Sequence, residues 1–170
     1  MDTGDAAMIN PGLFTSDSVE YNTPPEIILS VLEVLGTIDL DPCSDGKNIP
    51  AILHYTKSDD GLQQEWKGSV YMNPPYGRVI GVWVRKLLSE YEKGNITRAI
   101  ALVPARTDTA WFRMFRDLPW CAVKGRLKFS ECKDGAPFPS AILYLPSSEE
   151  GINKFYNVFS KHGIIYRGLR

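Results

Sequence analysis

The order of apolar segments predicts an α/β fold built on one sheet, mostly parallel with an antiparallel edge, and three observations carry the prediction. Short apolar runs at residues 37–41, 70–72 and 98–104 alternate with helical stripes at 27–35 and 79–91. From Cys121 onward the apolar runs are short and closely spaced, as antiparallel strands are. The composition, 44% hydrophobic and 23% charged over 170 residues, is that of a globular domain with a sizeable core.

Residues 1–18 mix Gly, Asp, Thr, Ser and Pro without periodicity and read as a flexible N-terminal arm, leaving residues 19–170 as one domain. Thr23-Pro24-Pro25-Glu26 reads as a capping box, with Thr23 as N-cap, proline in the first turn and Glu26 three residues on. Ile27, Ile28, Val31, Leu32, Val34 and Leu35 then form a helical stripe that Gly36 ends. Thr37-Ile38-Asp39-Leu40-Asp41 reads as a buried strand whose carboxyl end presents Asp41, and ligands sit at that edge of open α/β sheets. Residues 44–50 are loop chemistry with no glycine-rich entry to a helix, which counts against NAD or FAD. Ile52, Leu53, His54 and Tyr55 fit a short strand or a helical turn. Turns at Ser58–Gly61 and Trp66–Gly68 lead into the strand that ends at Asn73.

Beyond it, the apolar face from Val79 to Tyr91 predicts a helix closed by Gly94-Asn95. Arg98–Pro104 predicts a buried strand that delivers Ala105-Arg106-Thr107-Asp108 at its carboxyl end. A short helix around Trp111, Phe112 and Phe115 follows, then strands at Cys121–Val123, Leu127–Phe129 and Ser140–Leu145. The last helix runs from Glu149 through Phe159 until Gly163 ends it, ahead of a short Ile164-Ile165-Tyr166.

Chemistry concentrates at Val70-Tyr71-Met72-Asn73-Pro74-Pro75-Tyr76-Gly77. Two consecutive prolines forbid both helix and ladder pairing, so the chain leaves the sheet there. It leaves behind an amide side chain, stiff backbone carbonyls and an aromatic ring, the parts that hold a planar base by its exocyclic amine and its face. Charge is split along the chain. Residues 1–60 carry 11 acids against Lys47 and Lys57, a net of −9, whereas residues 61–170 carry 9 acids and 17 basic residues, a net of +8. One face then tolerates a cationic ligand and the other a polyanion. Cys43, Cys121 and Cys132 are odd in number and widely spaced, against both a disulfide framework and a metal site. No apolar run reaches the ~20 residues of a membrane span and no leader pattern opens the chain, so the expected location is the cytoplasm.

Asn73-Pro74-Pro75-Tyr76, read with what precedes it, resembles the amino-group DNA methyltransferases that use S-adenosylmethionine. More closely, the sequence is similar to the small phage and prophage DNA N6-adenine methyltransferases of the Dam type, from about Tyr21 to Leu145. Thr23-Pro24-Pro25-Glu26 is similar to the cofactor motif that opens the gamma order, Asp39-Leu40-Asp41-Pro42-Cys43 to the acidic strand end of the first motif, and Asp59 or Asp60 to the acid preceding the catalytic strand. The glycines that follow the first motif in that family are absent, and 18 residues take the chain from Asp41 to Asp59. The resemblance therefore implies a Rossmann-like methyltransferase sheet shortened in its cofactor-binding half, with no separate target-recognition domain.

It further implies Asn73, Pro74, Pro75 and Tyr76 as the catalytic group and S-adenosylmethionine as cofactor, leaving S-adenosylhomocysteine as product. The implied cofactor contacts are Tyr21, Thr23, Pro24, Asp41, Pro42, Cys43, Asp59 and Asn73. DNA is the implied partner, without membrane or metal. Arg126 and Lys128 on one side of the Leu127–Phe129 strand, with Lys124 nearby and Arg78 and Arg106 at the edge of Asn73, fit DNA contacts. Phe138, in a Gly- and Pro-rich loop, fits a wedge or lid at the DNA and equally a cover for a hydrophobic edge. A helix cap explains Thr23 equally, turn formation explains the aspartates, and His54 reads as structural. Transfer to protein glutamine or RNA adenine, and a nucleic-acid-binding module without catalysis, remain the alternatives.

Overall fold

The computed structural model describes residues 21–129 and 135–168, so the N-terminal arm, Cys132 and Lys133 lie outside the described residues. Helix α1 (Pro25–Leu35) leads to β1 (Ile38–Asp41), β2 (Ala51–His54) and β3 (Gly68–Met72). Helix α2 (Ile80–Glu92), β4 (Ile96–Pro104), the single turn α3 (Ala110–Arg113) and β5 (Trp120–Val123) follow. The chain then forms β6 (Ser140–Leu145), α4 (Glu149–Phe159) and β7 (Gly163–Tyr166). All seven strands join one sheet in the order β2-β1-β3-β4-β6-β5-β7. The pairings among β2, β1, β3 and β4 are parallel, and those of β4 with β6, β6 with β5 and β5 with β7 are antiparallel. The parallel core and the antiparallel part beside it are those expected of an α/β sheet with an antiparallel edge.

Alternation along the buried strands fills two apolar layers. Tyr71, Ile100, Leu102, Ile142 and Tyr144 pack on one face with α1 and α4. Val70, Met72, Ala99, Ala101 and Leu143 pack on the other with α2, α3 and Trp66. Trp66 is fully buried, donates Nε1–H to the Gly61 carbonyl at 2.7 Å and stacks on Trp83. Gly61 in turn lies so close to Pro42 that a β-carbon there would run into the Pro42 carbonyl. The segment after β2 is thereby pressed against the end of β1.

The shortening expected between Asp41 and Asp59 takes a specific form. Residues 42–50 join two parallel strands without a helix, where such a crossover ordinarily takes a dozen residues or more. The ladder continues past the strand ends, with Tyr55 N–H donating to the Asp41 carbonyl and Ser44 N–H to the Tyr55 carbonyl, each at 2.9 Å. Residues 51–54 are accordingly a strand, and it is the sheet's edge, with Ile52 78% exposed.

Two expectations are corrected. Thr23 is not the N-cap of α1: Pro24 holds that position, no side chain caps the helix, and the Thr23 side chain bonds elsewhere. Residues 127–129 are not a strand, because β5 already has β6 and β7 on its two sides and Gly125, at φ +71°, turns the chain away. Leu127 and Phe129 are nonetheless buried, and the Leu127 carbonyl accepts from Ala136 N–H at 2.8 Å.

Strand direction then decides which residues meet. The carboxyl ends of β1, β3, β4 and β5 lie on one edge, where β6 and β7 begin. That edge gathers Asp41, Asn73, Arg106 and Lys124, together with the segment that carries Phe138 into β6.

Candidate active site

The site is built where the residues ahead of α1 meet the residue that follows β3. Asn73 follows β3, and its Nδ2 donates to the Tyr21 carbonyl at 2.7 Å and to Thr23 Oγ1 at 3.3 Å. A carbonyl oxygen accepts only, so the Tyr21 contact fixes which end of the Asn73 amide is nitrogen. Oδ1 is therefore the end turned toward Tyr76, whose hydroxyl donates to it at 3.0 Å. Thr23 is buried and also bonds the Tyr71 hydroxyl at 2.7 Å, across the layer between α1 and β3. Asn48 completes the clamp, its Oδ1 accepting from Thr23 N–H at 2.8 Å and its Nδ2 donating to the Thr23 carbonyl at 3.2 Å. Asn48 is itself held by Asp45, whose Oδ1 accepts its N–H at 2.8 Å.

Four aromatic rings surround this clamp. Tyr76 stacks on Tyr21 with centroids 5.3 Å apart, and Phe138 meets both rings edge-on at 5.1 and 5.5 Å. Phe129 meets Tyr21 edge-on at 4.9 Å. Phe138 is thus half-buried in the cluster. Burial pushes the Tyr76 phenol far up from its ordinary value, with Tyr21 and Cys43 adding to the effect. The hydroxyl stays protonated and is the donor in its bond to Asn73. The Pro74 carbonyl accepts no hydrogen bond among the described residues, and Pro74 is itself buried.

Asp41 stands at the adjoining end of β1, 3% exposed. Burial raises its pKa to about 6, against the lowering effect of the Ser44 hydroxyl, the Cys43 amide and His54. The nearest basic nitrogen, His54 Nδ1, is 4.0 Å from the carboxylate and is engaged by Ser44 Oγ at 2.8 Å. The Cys43 thiol is pushed well up by burial and next by Asp41, so it stays a thiol rather than a nucleophile. Asp59 does not face this group freely: its Oδ2 accepts from Thr56 N–H at 2.8 Å and Thr56 Oγ1 at 2.7 Å, bracing an exposed turn. Asp60 differs. Its φ of +49° is the only left-handed value outside glycine among the described residues, and its carboxylate has no partner among them.

The structure thus brings Tyr21, Thr23, Asn73, Pro74 and Tyr76 together, with Asp41, Pro42 and Cys43 at the neighbouring strand end and the Asp59 carboxylate bonded to Thr56. Arg78, Arg106, Lys124, Arg126 and Lys128 are all exposed, following β3, β4 and β5 at one edge. Asn48 and the Thr23–Tyr71 bond escaped sequence reasoning because their contacts span 25 and 48 residues, with no local signature.

With this geometry in place, comparison with curated proteins returns no match. A family model does match: the DNA N-6-adenine-methyltransferase (Dam) model covers residues 14–139, most of the chain and every element from α1 to β5. The chain belongs to the Dam family of adenine-specific DNA methyltransferases, whose substrate is DNA and whose chemistry in general draws on S-adenosylmethionine.

Proposed function

We propose that this chain transfers the methyl group of S-adenosylmethionine to the N6 amine of an adenine flipped out of DNA, with Asn73 and Pro74 holding the amine. The observation that carries the reading is the tethered amide. Tyr21 and Thr23 fix the nitrogen of Asn73, so its oxygen is aimed before any substrate arrives. The adenine amine is a poor nucleophile because its lone pair is delocalised into the ring. Two acceptors, Asn73 Oδ1 and the Pro74 carbonyl, draw on its two hydrogens, favour a pyramidal nitrogen and stabilise the charge that develops there. No general base is required before transfer. The Tyr76 ring stacks on the flipped base, worth ~1–3 kcal/mol and so comparable to the few kcal/mol that flipping costs.

The residues at the β1 end fit a cationic cofactor. Asp41 is a buried carboxylate with no full counter-charge beside it, and a ligand bearing a sulfonium and an ammonium provides one. Thr23, Pro24, Asp41, Pro42 and Cys43 would hold it with Tyr21 and Asn73, and S-adenosylmethionine supplies an electrophilic methyl when bound. Asp60 takes the role expected of Asp59, since Gly61 packs against Pro42 and Asp60 keeps a strained backbone with a free carboxylate. Arg78, Arg106, Lys124, Arg126 and Lys128 contact phosphates.

Incubation with tritiated S-adenosylmethionine and, separately, unmethylated plasmid, single-stranded DNA, tRNA and a protein extract tests the reading. Label in plasmid is expected, and label only in protein or tRNA would overturn it. DNA affinity is expected to fall steeply with salt. Five phosphate contacts give a slope near ~−4.5 in log K against log salt, or two to three orders of magnitude between ~50 and ~200 mM. A flat dependence in a filter-binding or anisotropy titration would discredit the basic rim.

Asp41 gives a pH dependence of definite sign. Its pKa is higher in the folded chain, about 6, than the ordinary 3.8, so it favours folding below the ordinary value and that contribution is lost as pH rises through 6. The cationic ligand needs the ionised form. Calorimetric affinity for S-adenosylmethionine is therefore expected to be about tenfold weaker at pH 5 than at pH 7.5, and to lose that dependence in Asp41→Asn. An equal dependence in the two proteins would contradict the assignment.

Tyr76→Phe separates ring from hydroxyl. The hydroxyl occupies the Asn73 oxygen that the amine must reach, so its removal is expected to preserve transfer and to strengthen target-base engagement up to about tenfold. Tyr76→Ala loses the stacking surface and is expected to cost about 5- to 150-fold. Kinetics with equal losses for the two variants would show the hydroxyl to be required.

A further inference from the structure

We infer that Ser140, to which no role has been assigned, is a positioning residue that hydrogen-bonds a ring nitrogen of the flipped base. Ser140 opens β6 at the edge that carries Asn73, is 1% exposed, and its Oγ has no hydrogen-bond partner among the described residues. The backbone around it explains why. Its partner across the ladder, Pro104, has no N–H to offer, and the carbonyl of the preceding Pro139 is taken by Ala105 N–H at 2.8 Å. A buried hydroxyl without a partner carries an uncompensated desolvation cost that an alanine at the same place would not.

Its direction is set by alternation along β6. Ile142 and Tyr144 belong to the apolar layer on the α1 and α4 face, so Ser140, two residues before Ile142, is on that face. Tyr71 belongs to the same layer, and Asn73, two residues on, bonds Tyr21 and Thr23 there. Phe129 and Phe138 also pack against this layer, so the aromatic cluster lies on the face that Asn73 and Ser140 share. Met72 pairs with Ala101 and Ser140 with Pro104, placing Asn73 and Ser140 two strands apart and about two residues offset. Ordinary strand spacings make that about 12 Å between backbones, the scale of a purine with a hydrogen bond at each end.

The inference rests on the proposal that Asn73 and Pro74 hold the exocyclic amine. A purine held there still presents N1, N3 and N7, all acceptors, and a hydroxyl is a donor able to meet one of them. The base enters by displacing rings of the aromatic cluster, and Ser140 then gains the partner it lacks.

Ser140→Ala tests this in the full chain. The melting temperature is expected to stay level or rise, since an unpartnered hydroxyl is removed, while kcat/KM for methylation falls about tenfold. Duplexes carrying 1-deaza-, 3-deaza- or 7-deazaadenine at the target identify the atom. One analogue is expected to be penalised in the wild-type chain and to incur no further penalty in Ser140→Ala. Undiminished transfer by the variant, a fall in its melting temperature, or penalties that add for all three analogues would each overturn the inference. Failure of the wild-type chain to methylate unmodified adenine would instead overturn the reading of Asn73, so the two failures are distinct.

Discussion

Replacing Asn73 with alanine is expected to lower methyl transfer to DNA by about 10²- to 10³-fold, the loss seen when one preorganised polar contact to a reacting centre is removed. The variant loses two things at once. The oxygen proposed to draw on the adenine amine disappears, and so do the two bonds that Nδ2 makes to the Tyr21 carbonyl and Thr23 Oγ1. Thr23 keeps its bonds to Tyr71 and Asn48, so the cofactor side of the clamp survives. Calorimetric affinity for S-adenosylmethionine is accordingly expected to fall by no more than about tenfold, the worth of one or two neutral hydrogen bonds. Single-turnover rates and cofactor binding measured on one preparation separate the two effects. Transfer within a few fold of the wild-type rate would refute the amine grip, and a complete loss of cofactor binding would make cofactor contact, rather than the amine grip, the main work of Asn73.

Trp66→Ala is expected to cost about 3–5 kcal/mol of stability, the range for an aromatic residue removed from a core. Trp66 is fully buried between the sheet and α2, stacked on Trp83 at 6.0 Å, with the Lys86 ammonium 5.8 Å from its ring. Its loss also leaves the Gly61 carbonyl without its indole partner. Against a total of ~5–15 kcal/mol the effect is large, and thermal unfolding is expected to shift downward by about 10 °C. The damage has a direction as well. Trp66 holds Gly61, Gly61 packs on Pro42, and Asp60 sits between that contact and Asp59. A shift of less than about 2 °C would mean that the segment from Asp59 to Trp66 is held by something other than this indole.

The parts of the fold legible in the sequence are those set by local periodicity. The stripe at 27–35 became α1, the apolar runs ending at Asp41, Met72 and Pro104 became β1, β3 and β4, and Gly36 and Gly94 ended helices with positive φ. Asn73 at a strand end was legible because Pro74-Pro75 leaves the chain no other course. What was not legible depends on partners distant in sequence. Thr23 satisfies every local rule for an N-cap, yet its hydroxyl bonds Tyr71. Leu127–Phe129 alternates like a strand, but the ladder positions beside β5 belong to β6 and β7. Asp59 and Asp60 are equivalent on the page of the sequence, and only the turn built on Thr56 assigns one to bracing and leaves the other free.

The central claim is that the tethered Asn73 amide selects the exocyclic amine of adenine in DNA. The most direct measurement is the fate of the transferred methyl: duplex DNA labelled by the wild-type chain, digested to nucleosides and separated by chromatography. All label is expected in N6-methyldeoxyadenosine, with about 10²- to 10³-fold less in that position when Asn73→Ala is used under the same conditions. Label in methylated cytosine, or label in N6-methyldeoxyadenosine that persists undiminished in Asn73→Ala, would contradict the account.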